Sequence, residues 1–369
     1  PLGYLVRVGE FQKQEAAKEL QQELSEMGYT DVLTVYTGED GNQTTGPWVV
    51  NLLEVDPDSF NGSILPQLAK DKVQGKELLT EMAGRKHALA GINGGYFVIG
   101  NKDGTPGDLA GISVMDGKLI SEAVNGRSSL ILPSAGIDAR IASITSSQTA
   151  ISSDGAVREV DGLNRKPELI RSCGGTGGDT PTENPKHDFT CSDGNELIHF
   201  TPDFGNQTEA GIGIEAVLNE NGDVIELRKQ LGGEIPSNGS VLAGAGDAAQ
   251  WLLDHAQIGM KIQVKNEVRA DRVPLPFEKA AGIINGGPRL LDEGKISINA
   301  VTEGFHHNDN PEFYYRFGER RHPRTLAGIR ADGTLLFVTI DGRSPGHSVG
   351  ASFEESARLM KSLGAVHAV

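Results

Sequence analysis

Short apolar runs separated by two-residue turn signals are the feature that most restricts how this chain can fold. The pairs Asp116-Gly117, Asn221-Gly222 and Asp332-Gly333 each lie between two such runs, as expected for tight β-hairpins. Gly makes up 48 of the 369 residues, against a usual share of about 7%. The pattern predicts an α+β fold with a hairpin-rich, mostly antiparallel sheet core, and it argues against a helical bundle.

A few helices are expected among the strands. Ser352 and Glu355 have the spacing of a capping box at the start of a helix over 353–364. Apolar residues recur at helical spacing over 10–27, between strands predicted at 4–8 and 31–36. A small βαβ unit is therefore expected to precede the main sheet core.

The acidic composition restricts the partners of this chain. Its 34 Lys and Arg against 50 Asp and Glu give a formal net charge of −16. No nucleic-acid partner is predicted, because proteins that bind nucleic acid present a basic face. An anionic substrate requires arginines concentrated at one site. No membrane span is predicted either, since no apolar run approaches about 20 residues.

The two cysteines, Cys173 and Cys191, enclose a segment rich in Gly, Thr, Asn and Pro. One disulfide between them is the favoured interpretation, and it indicates an oxidising compartment. Two buried free thiols in a cytosolic protein are the alternative. No metal site is predicted, because neither the cysteines nor the pair His306–His307 with Asp309 shows a metal-ligand spacing.

Two segments late in the chain concentrate side chains that can bind an anion. The first is RRHPRTLAGI (320–329), and the second is TIDGRSPGHSVG (339–350). The apolar strand between them is expected to carry Asp341 and Arg343 at its C-terminal end, followed by a Gly- and Ser-rich loop and a helix. Such an arrangement suits an anion- and hydroxyl-binding site. An Asp–Arg ion pair with helix-capping serines is the alternative.

Over about residues 50–369 the chain resembles the phosphodiester glycosidase family. The residues that carry the resemblance occur in family order: AGINGGYF (90–97), NGGPR (285–289), PRT (323–325) with Gly328, DGR (341–343), then Ser344, Gly346, Ser348, Gly350, Glu355, Ala357 and LGA (363–365). In the family, Leu-Gly-Ala precedes a strand ending in Asp-Gly-Gly-Gly-Ser. This sequence stops at Val369, so a C-terminal core strand is expected to be missing from domain 47–369, and the missing segment is an expected partner.

The resemblance implies hydrolysis of a sugar-1-phosphodiester to a free sugar and a phosphomonoester, on a cell-envelope or extracellular glycan. It makes Asp341 the first candidate for the catalytic carboxylate and Glu355 the second, with Arg324 and Arg343 on the phosphate. The other residues expected to bind substrate are Asn93, Gly94, Gly95, Tyr96, Asn285, Gly286, Gly287, Ser344 and Ser348. No cofactor is expected to be required, and a bound calcium ion is compatible with the resemblance.

The first residues resemble the first half of a SPOR domain, a sugar-binding module for peptidoglycan. The matching residues are Tyr4, Val6, Val8, Gly9, Phe11, the Ala and Leu spacing of the helix, and Gly28. Residues 1–40 are thus predicted as a partial SPOR-like unit, which implies peptidoglycan as a partner and a secreted or cell-wall-associated protein. A plain docking element is the alternative for this unit, and a non-catalytic cell-wall glycan-binding protein is the alternative for the whole chain.

Overall fold

The computed structural model describes residues 6, 8–11, 13–30, 32–34, 46–124, 126–134, 136, 138–173, 180–181, 190–306, 311–344 and 346–369. Its helices are α1 (Gln14–Glu26), α2 (Leu79–Arg85), α3 (Gly246–His255), α4 (Pro311–Tyr314) and α5 (Phe353–Ser362). Short 3-10 turns cover Ala69–Asp71 and Phe277–Lys279. A π turn over Tyr315–Glu319 continues α4.

The strands are short and numerous. In chain order they are β1 (Val50–Val55), β2 (Ser113–Met115), β3 (Lys118–Ser121), β4 (Ser128–Leu132), β5 (Arg140–Ser152), β6 (Val157–Val160), β7 (Gly162–Leu163), β8 (Ile170–Arg171), β9 (Thr180–Pro181), β10 (Thr190–Ser192), β11 (Leu197–Phe200), β12 (Ile214–Asn219), β13 (Val224–Arg228), β14 (Gly239–Gly244), β15 (Ile262–Ala270), β16 (Val273–Pro274), β17 (Gly282–Asn285), β18 (Leu291–Asp292), β19 (Lys295–Ile296), β20 (Arg324–Arg330), β21 (Leu335–Ile340) and β22 (Ala365–Ala368).

These strands form sheets that are almost entirely antiparallel. The large sheet has the order β16-β15-β5-β4-β17-β2-β3, with β6 also paired to β5, and the C-terminal sheet has the order β1-β21-β20-β22-β18-β19. A five-stranded sheet, β13-β12-β14-β11-β7, contains the parallel pair β7 and β11, and a small sheet has the order β8-β10-β9. The predicted α+β fold with a mostly antiparallel core is confirmed.

The hairpin signals are used as expected. Asp116 and Gly117 both have positive φ, 49° and 72°, and they join β2 to β3. A side chain at Gly117 would place its Cβ 2.5 Å from the carbonyl oxygen of Glu278. Both the left-handed backbone and the close approach therefore require glycine at the second turn position.

The C-terminal sheet lies between α5 and the large sheet. Leu336 and Val338 of β21 pack with Met360 of α5 on one face. Phe337, which points to the other face, packs with Leu132 of the large sheet. Because both faces are covered, β21 is an almost wholly buried apolar strand. The polar residues Asp341 and Arg343 follow just after its C-terminal end.

The last residues of the sequence take part in this sheet. Strand β22 lies between β20 and β18, and Val369 exchanges two backbone hydrogen bonds of 2.9 Å with Ala327 of β20. This strand begins at Ala365, the last residue of the Leu363-Gly364-Ala365 run after which the family resemblance predicts a strand. The additional C-terminal segment stays a prediction.

At the N-terminus the predicted helix is present as α1, and Gly28, with a φ of 92°, follows its end. The Gln21 amide of α1 donates to the Val32 carbonyl over 2.6 Å. Of the two strands predicted around this helix, 4–8 lies largely outside the described residues, and 32–34 is described but not paired in a sheet. The SPOR-like unit stays a prediction. None of the described helices has the length and apolar character that crossing a bilayer requires.

The predicted disulfide between Cys173 and Cys191 is present, with the Cα atoms 6.0 Å apart. Cys191 is fully buried and lies in β10, the central strand of the small sheet. The bridge therefore ties β10 to the chain that leaves β8. Most of the enclosed segment, 174–179 and 182–189, lies outside the described residues.

Removing this bridge is expected to cost stability. Closing a loop with a sequence separation of 18 restricts the unfolded chain, so the double variant C173S/C191S should lose about 3 kcal/mol of unfolding free energy. Urea unfolding of the oxidised protein and the variant measures the difference, with the reduced protein as the matched control. Equal midpoints for all three would contradict a stabilising disulfide.

Candidate functional site

The two Asn-Gly-Gly segments of the sequence lie against each other. The Asn285 side-chain Oδ1, at the end of β17, accepts a 2.7 Å hydrogen bond from the backbone N–H of Tyr96. The Tyr96 hydroxyl donates to the Gly287 carbonyl over 2.7 Å. A Cβ at Gly95 would lie 2.3 Å from Asn285 oxygens, so only glycine permits this approach.

The contact lies where the chain crosses between sheets, because β17 belongs to the large sheet and β18 to the C-terminal sheet. Asn93 and Gly94 are exposed, whereas Gly95 and Tyr96 are half-buried. A Cβ at Gly286 would come within 2.9 Å of the Val369 side chain. The two segments predicted as walls of a sugar site are thus in direct contact, and Asn285, which joins them, is buried.

Arg324, the first residue of β20, is a buried cation with 8% of its surface exposed. Its guanidinium donates to the carbonyls of Ala351, over 2.8 Å, and Phe317. It also lies 4.5 Å from the centre of the Phe353 ring. Among the described residues, no carboxylate lies within ion-pair distance of it.

Burying the positive charge of Arg324 without a carboxylate partner costs free energy. Burial, together with repulsion from Arg343, lowers its pKa to about 10, which still leaves it protonated at neutral pH. A buried cation held only by carbonyls and aromatic rings gains most when an anion approaches. Arg324 is thus suited to bind a negatively charged ligand.

The π turn explains how these carbonyls become available. A π turn departs from the regular helical hydrogen-bond pattern, and here the carbonyls of Arg316 and Phe317 accept from side chains outside the helix. The Phe317 carbonyl accepts from Arg324, and the Arg316 carbonyl accepts from His322 Nε2. The turn thus positions a histidine and an arginine together.

Arg343 joins this cluster from the loop after β21. Its Nε and Nη2 donate to His322 Nδ1 over 3.1 and 2.9 Å. The side chain of Arg343 is exposed, and its φ is 58°. A Cβ at Gly342 would lie 2.5 Å from the Pro323 nitrogen, so glycine is required where the loop passes the His322–Pro323 backbone.

Asp341 is the accessible carboxylate of the site. Its side chain is 48% exposed, and Oδ2 lies 3.0 Å from His347 Nε2. Its backbone carbonyl accepts from the Ser348 hydroxyl over 2.6 Å, and that hydroxyl accepts from the Val49 N–H. Ser348 is fully buried and therefore holds the loop together, whereas Ser344 is exposed.

Glu355 has a different environment. It completes the predicted capping box of α5 with Ser352, and both of its oxygens accept from Arg321, at 2.6 to 3.0 Å. Arg321 is itself buried, with 3% of its surface exposed. These contacts orient the Glu355 carboxylate toward the protein and favour a structural role over direct catalysis.

The variant E355Q is therefore expected to lose stability rather than activity. Replacing one partner of a partly buried ion pair that also caps a helix should lower the unfolding free energy by about 1–3 kcal/mol. Once the wild-type turnover number is known, E355Q should keep it within a few fold at a temperature where both are folded. A large loss of turnover with an unchanged unfolding midpoint would contradict this assignment.

Two buried residues near the Tyr96–Gly287 contact, Arg127 and Glu303, were not identified from the sequence. Arg127 lies 4.3 Å from the Phe305 ring centre and 6.0 Å from that of Tyr96. The Glu303 carboxylate accepts from the Ser128 N–H and hydroxyl, each over 2.9 Å. Neither residue has a motif spacing that would have identified it. His322 lies within the singled-out segment 320–329, but only the structure shows its contact with Arg343.

No group of three potential metal-ligating side chains occurs in the part of the chain that the structure describes. His307 and Asp309 lie outside that part. The bound calcium ion stays a prediction.

A family model described as phosphodiester glycosidase matches residues 213–369. The matched range includes Asn285, Arg324, Asp341 and Arg343, and it begins after Tyr96. A comparison with curated protein sequences found no match.

Solved structures extend the likeness to nearly the whole chain. A Burkholderia pseudomallei K96243 protein, whose name describes it as exported, is 30% identical with a TM-score of 0.86, over 98% of this chain and 75% of that one. A hypothetical protein from Synechocystis is 19% identical with a TM-score of 0.65, over 89% and 54% of the two chains, which shows a shared fold. The catalytic domain of zebrafish N-acetylglucosamine-1-phosphodiester alpha-N-acetylglucosaminidase, auto-inhibited by its pro-peptide, is 13% identical with a TM-score of 0.21, over 68% and 73%, and that superposition supports no residue assignment.

Proposed function

We propose, because residues 213–369 match the phosphodiester glycosidase family model, that the protein hydrolyses the bond between C1 of a sugar and the oxygen of a phosphodiester. Water adds to C1, the C1–O bond breaks, and the products are a free sugar and a phosphomonoester. The observation that carries this proposal is the close pair of cations Arg324 and Arg343, with the exposed carboxylate of Asp341 two residues before Arg343 in the same loop.

In the proposed reaction, Arg324 and Arg343 bind the phosphate group. Arg324 is buried without a carboxylate partner among the described residues, and Arg343 lies close enough to lower its pKa. Negative charge that develops on the leaving phosphate is stabilised by such preorganised cations. The concentration of arginines in one place also allows a chain with a net charge of −16 to bind an anion.

In the proposed reaction, Asp341 supplies the carboxylate that acts at the sugar C1. A phosphomonoester is a good leaving group, so the reaction depends less on a general acid than ordinary glycoside hydrolysis does. A carboxylate near C1 is still needed to activate water, to attack C1 or to stabilise positive charge there. Asp341 has the exposure for these roles, whereas Glu355 is held by Arg321.

Exposed Asn93 and Gly94, together with the half-buried ring of Tyr96, are proposed to hold the sugar, since a tyrosine ring offers an apolar face to a pyranose. Asn285 is buried and supports this segment through its hydrogen bond with the Tyr96 backbone. The Tyr96 ring centre lies 6.1 Å from that of Phe317, whose carbonyl binds Arg324. The proposed sugar and phosphate sites are therefore adjacent.

We also propose a secreted or cell-wall-associated location, with an envelope glycan as substrate and peptidoglycan as a partner. The disulfide supports an oxidising compartment. The name of the Burkholderia relative, an exported protein, agrees with this location.

Incubation with synthetic sugar-1-phosphodiesters tests the activity, with release of reducing sugar and of phosphomonoester as separate readouts. Equal amounts of both products are expected. Binding of cell-wall glycan without turnover of any member of the panel would favour the alternative, a non-catalytic glycan-binding protein.

A further inference from the structure

His322 occupies the centre of the arginine cluster without being a substrate ligand in the proposed reaction. Its ring is linked on one side to the Arg316 carbonyl through Nε2 and on the other to Arg343 through Nδ1. A carbonyl can only accept, and a guanidinium can only donate. The ring is therefore the neutral tautomer with its proton on Nε2.

We propose that His322 is a positioning residue that holds the Arg343 guanidinium over the phosphate site. This inference rests on the proposed function, in which Arg343 binds the phosphodiester. The side chain of Arg343 is exposed and belongs to a loop residue with positive φ. Two donations to one ring nitrogen restrict a long side chain that would otherwise sample many rotamers.

The surroundings keep His322 neutral. Burial lowers its pKa from 6.5 to about 4. The Arg316 carbonyl opposes that shift, while the charges of Arg324, Arg343 and Arg320 reinforce it. Protonation of Nδ1 would remove the acceptor and set a positive ring beside Arg343.

The lowered pKa of His322 sets the direction in which stability and the contact with Arg343 change with pH. Between pH 6.5 and about 4 the unfolded chain binds a proton at this ring that the folded protein does not. The contribution of His322 to stability is therefore full above this window and decreases as the pH falls through it. The hydrogen bonds from Arg343 to His322 Nδ1 persist down to about pH 4 and are lost below it.

Two substitutions separate positioning from a general structural role. H322L fills the space without an acceptor, whereas H322N offers an amide oxygen near the place of Nδ1. For a sugar-1-phosphodiester, H322L should raise KM about tenfold or more, because hydrogen bonds to charged groups contribute about 1.5–3 kcal/mol, with kcat within a few fold. H322N should restore KM to within a few fold of wild type, and KM for an aryl glycoside should not change in either variant.

A double-mutant cycle tests whether the effect passes through Arg343. In an R343Q background, H322L should have no further effect on KM for the phosphodiester. Additive effects, equal losses with H322L and H322N, or a matching rise of KM for the aryl glycoside would each overturn the proposal.

Binding of dimethyl phosphate, which stays a monoanion across the acid range, gives a measurement independent of turnover. Wild type should bind it with constant affinity from neutral pH to about pH 4.5 and lose at least tenfold below pH 4, about the pKa of His322. H322N, which has no titrating ring, should lack that loss. The same acid loss in both proteins would overturn the proposal even if H322L does not fold. Failure of the glycosidase activity alone leaves this binding result standing, so the two failures are distinguishable.

Discussion

The variant D341N should lower kcat for a sugar-1-phosphodiester by about 10²–10⁴-fold, the range typical for loss of a positioned acid–base group. Asn has nearly the shape of Asp but supplies neither a base nor a negative charge. Because the Asp341 side chain is 48% exposed, the change should leave folding intact. Steady-state kinetics with release of reducing sugar measures the effect, and thermal unfolding confirms the fold.

Asp332 offers the matched control, since it lies in the turn that precedes the same strand, β21. Its carboxylate accepts from the Thr334 N–H over 3.0 Å, which an Asn oxygen can also do. The D332N variant should therefore keep wild-type turnover. A kcat for D341N close to that of D332N would reject Asp341 as the catalytic carboxylate.

The second large effect is expected for R343Q. Removing one of the two cations proposed to face the phosphate should lower kcat/KM for the phosphodiester by about 10²-fold, since charge-assisted contacts to a developing oxyanion contribute about 3 kcal/mol. An aryl glycoside with a neutral leaving group does not use this contact, so its kcat/KM should change by no more than a few fold. The ratio of the two substrates is the measurement.

Arg358 is the matched control for Arg343, because its exposed guanidinium pairs only with Glu354 on the surface of α5 in the described part of the chain. The R358Q variant should leave both substrates unaffected. If R343Q weakened both substrates equally, the phosphate assignment would be wrong and Arg343 would serve the loop structure instead.

Much of the fold follows from local signals in the sequence. The Asp116-Gly117 hairpin, the α5 capping box and the Cys173–Cys191 bridge all form as predicted. Each depends on residues that are close in the chain, or on two cysteines with no other partner, so the sequence contains the needed information. The arrival of Asp341 at the end of a buried strand was predictable for the same reason.

The environment of each site residue was less predictable. Glu355 and Asp341 are both acidic and both follow β21, yet Glu355 forms an ion pair with Arg321 whereas the Asp341 carboxylate stays exposed. Arg321 is 34 residues from Glu355, and no local pattern pairs them. The Ser348 hydroxyl likewise binds the backbone of Val49, which is 299 residues away.

The sequence by itself determined the residue types of this site and their order, because glycine turns, strand ends and caps act over a few residues. Only the tertiary structure decided that Asn285 binds the Tyr96 backbone, that a π turn presents carbonyls to His322 and Arg324, and that His322 accepts hydrogen bonds from Arg343. The Asn285–Tyr96 contact forms because the chain crosses between two packed sheets, which brings segments nearly 200 residues apart into hydrogen-bond distance. The contacts of His322 and Arg324 depend on the π turn just before β20 and on the pairing of β20 with β21, which sets Arg324 opposite Ile340. Long-range packing of this kind has no local sequence signature.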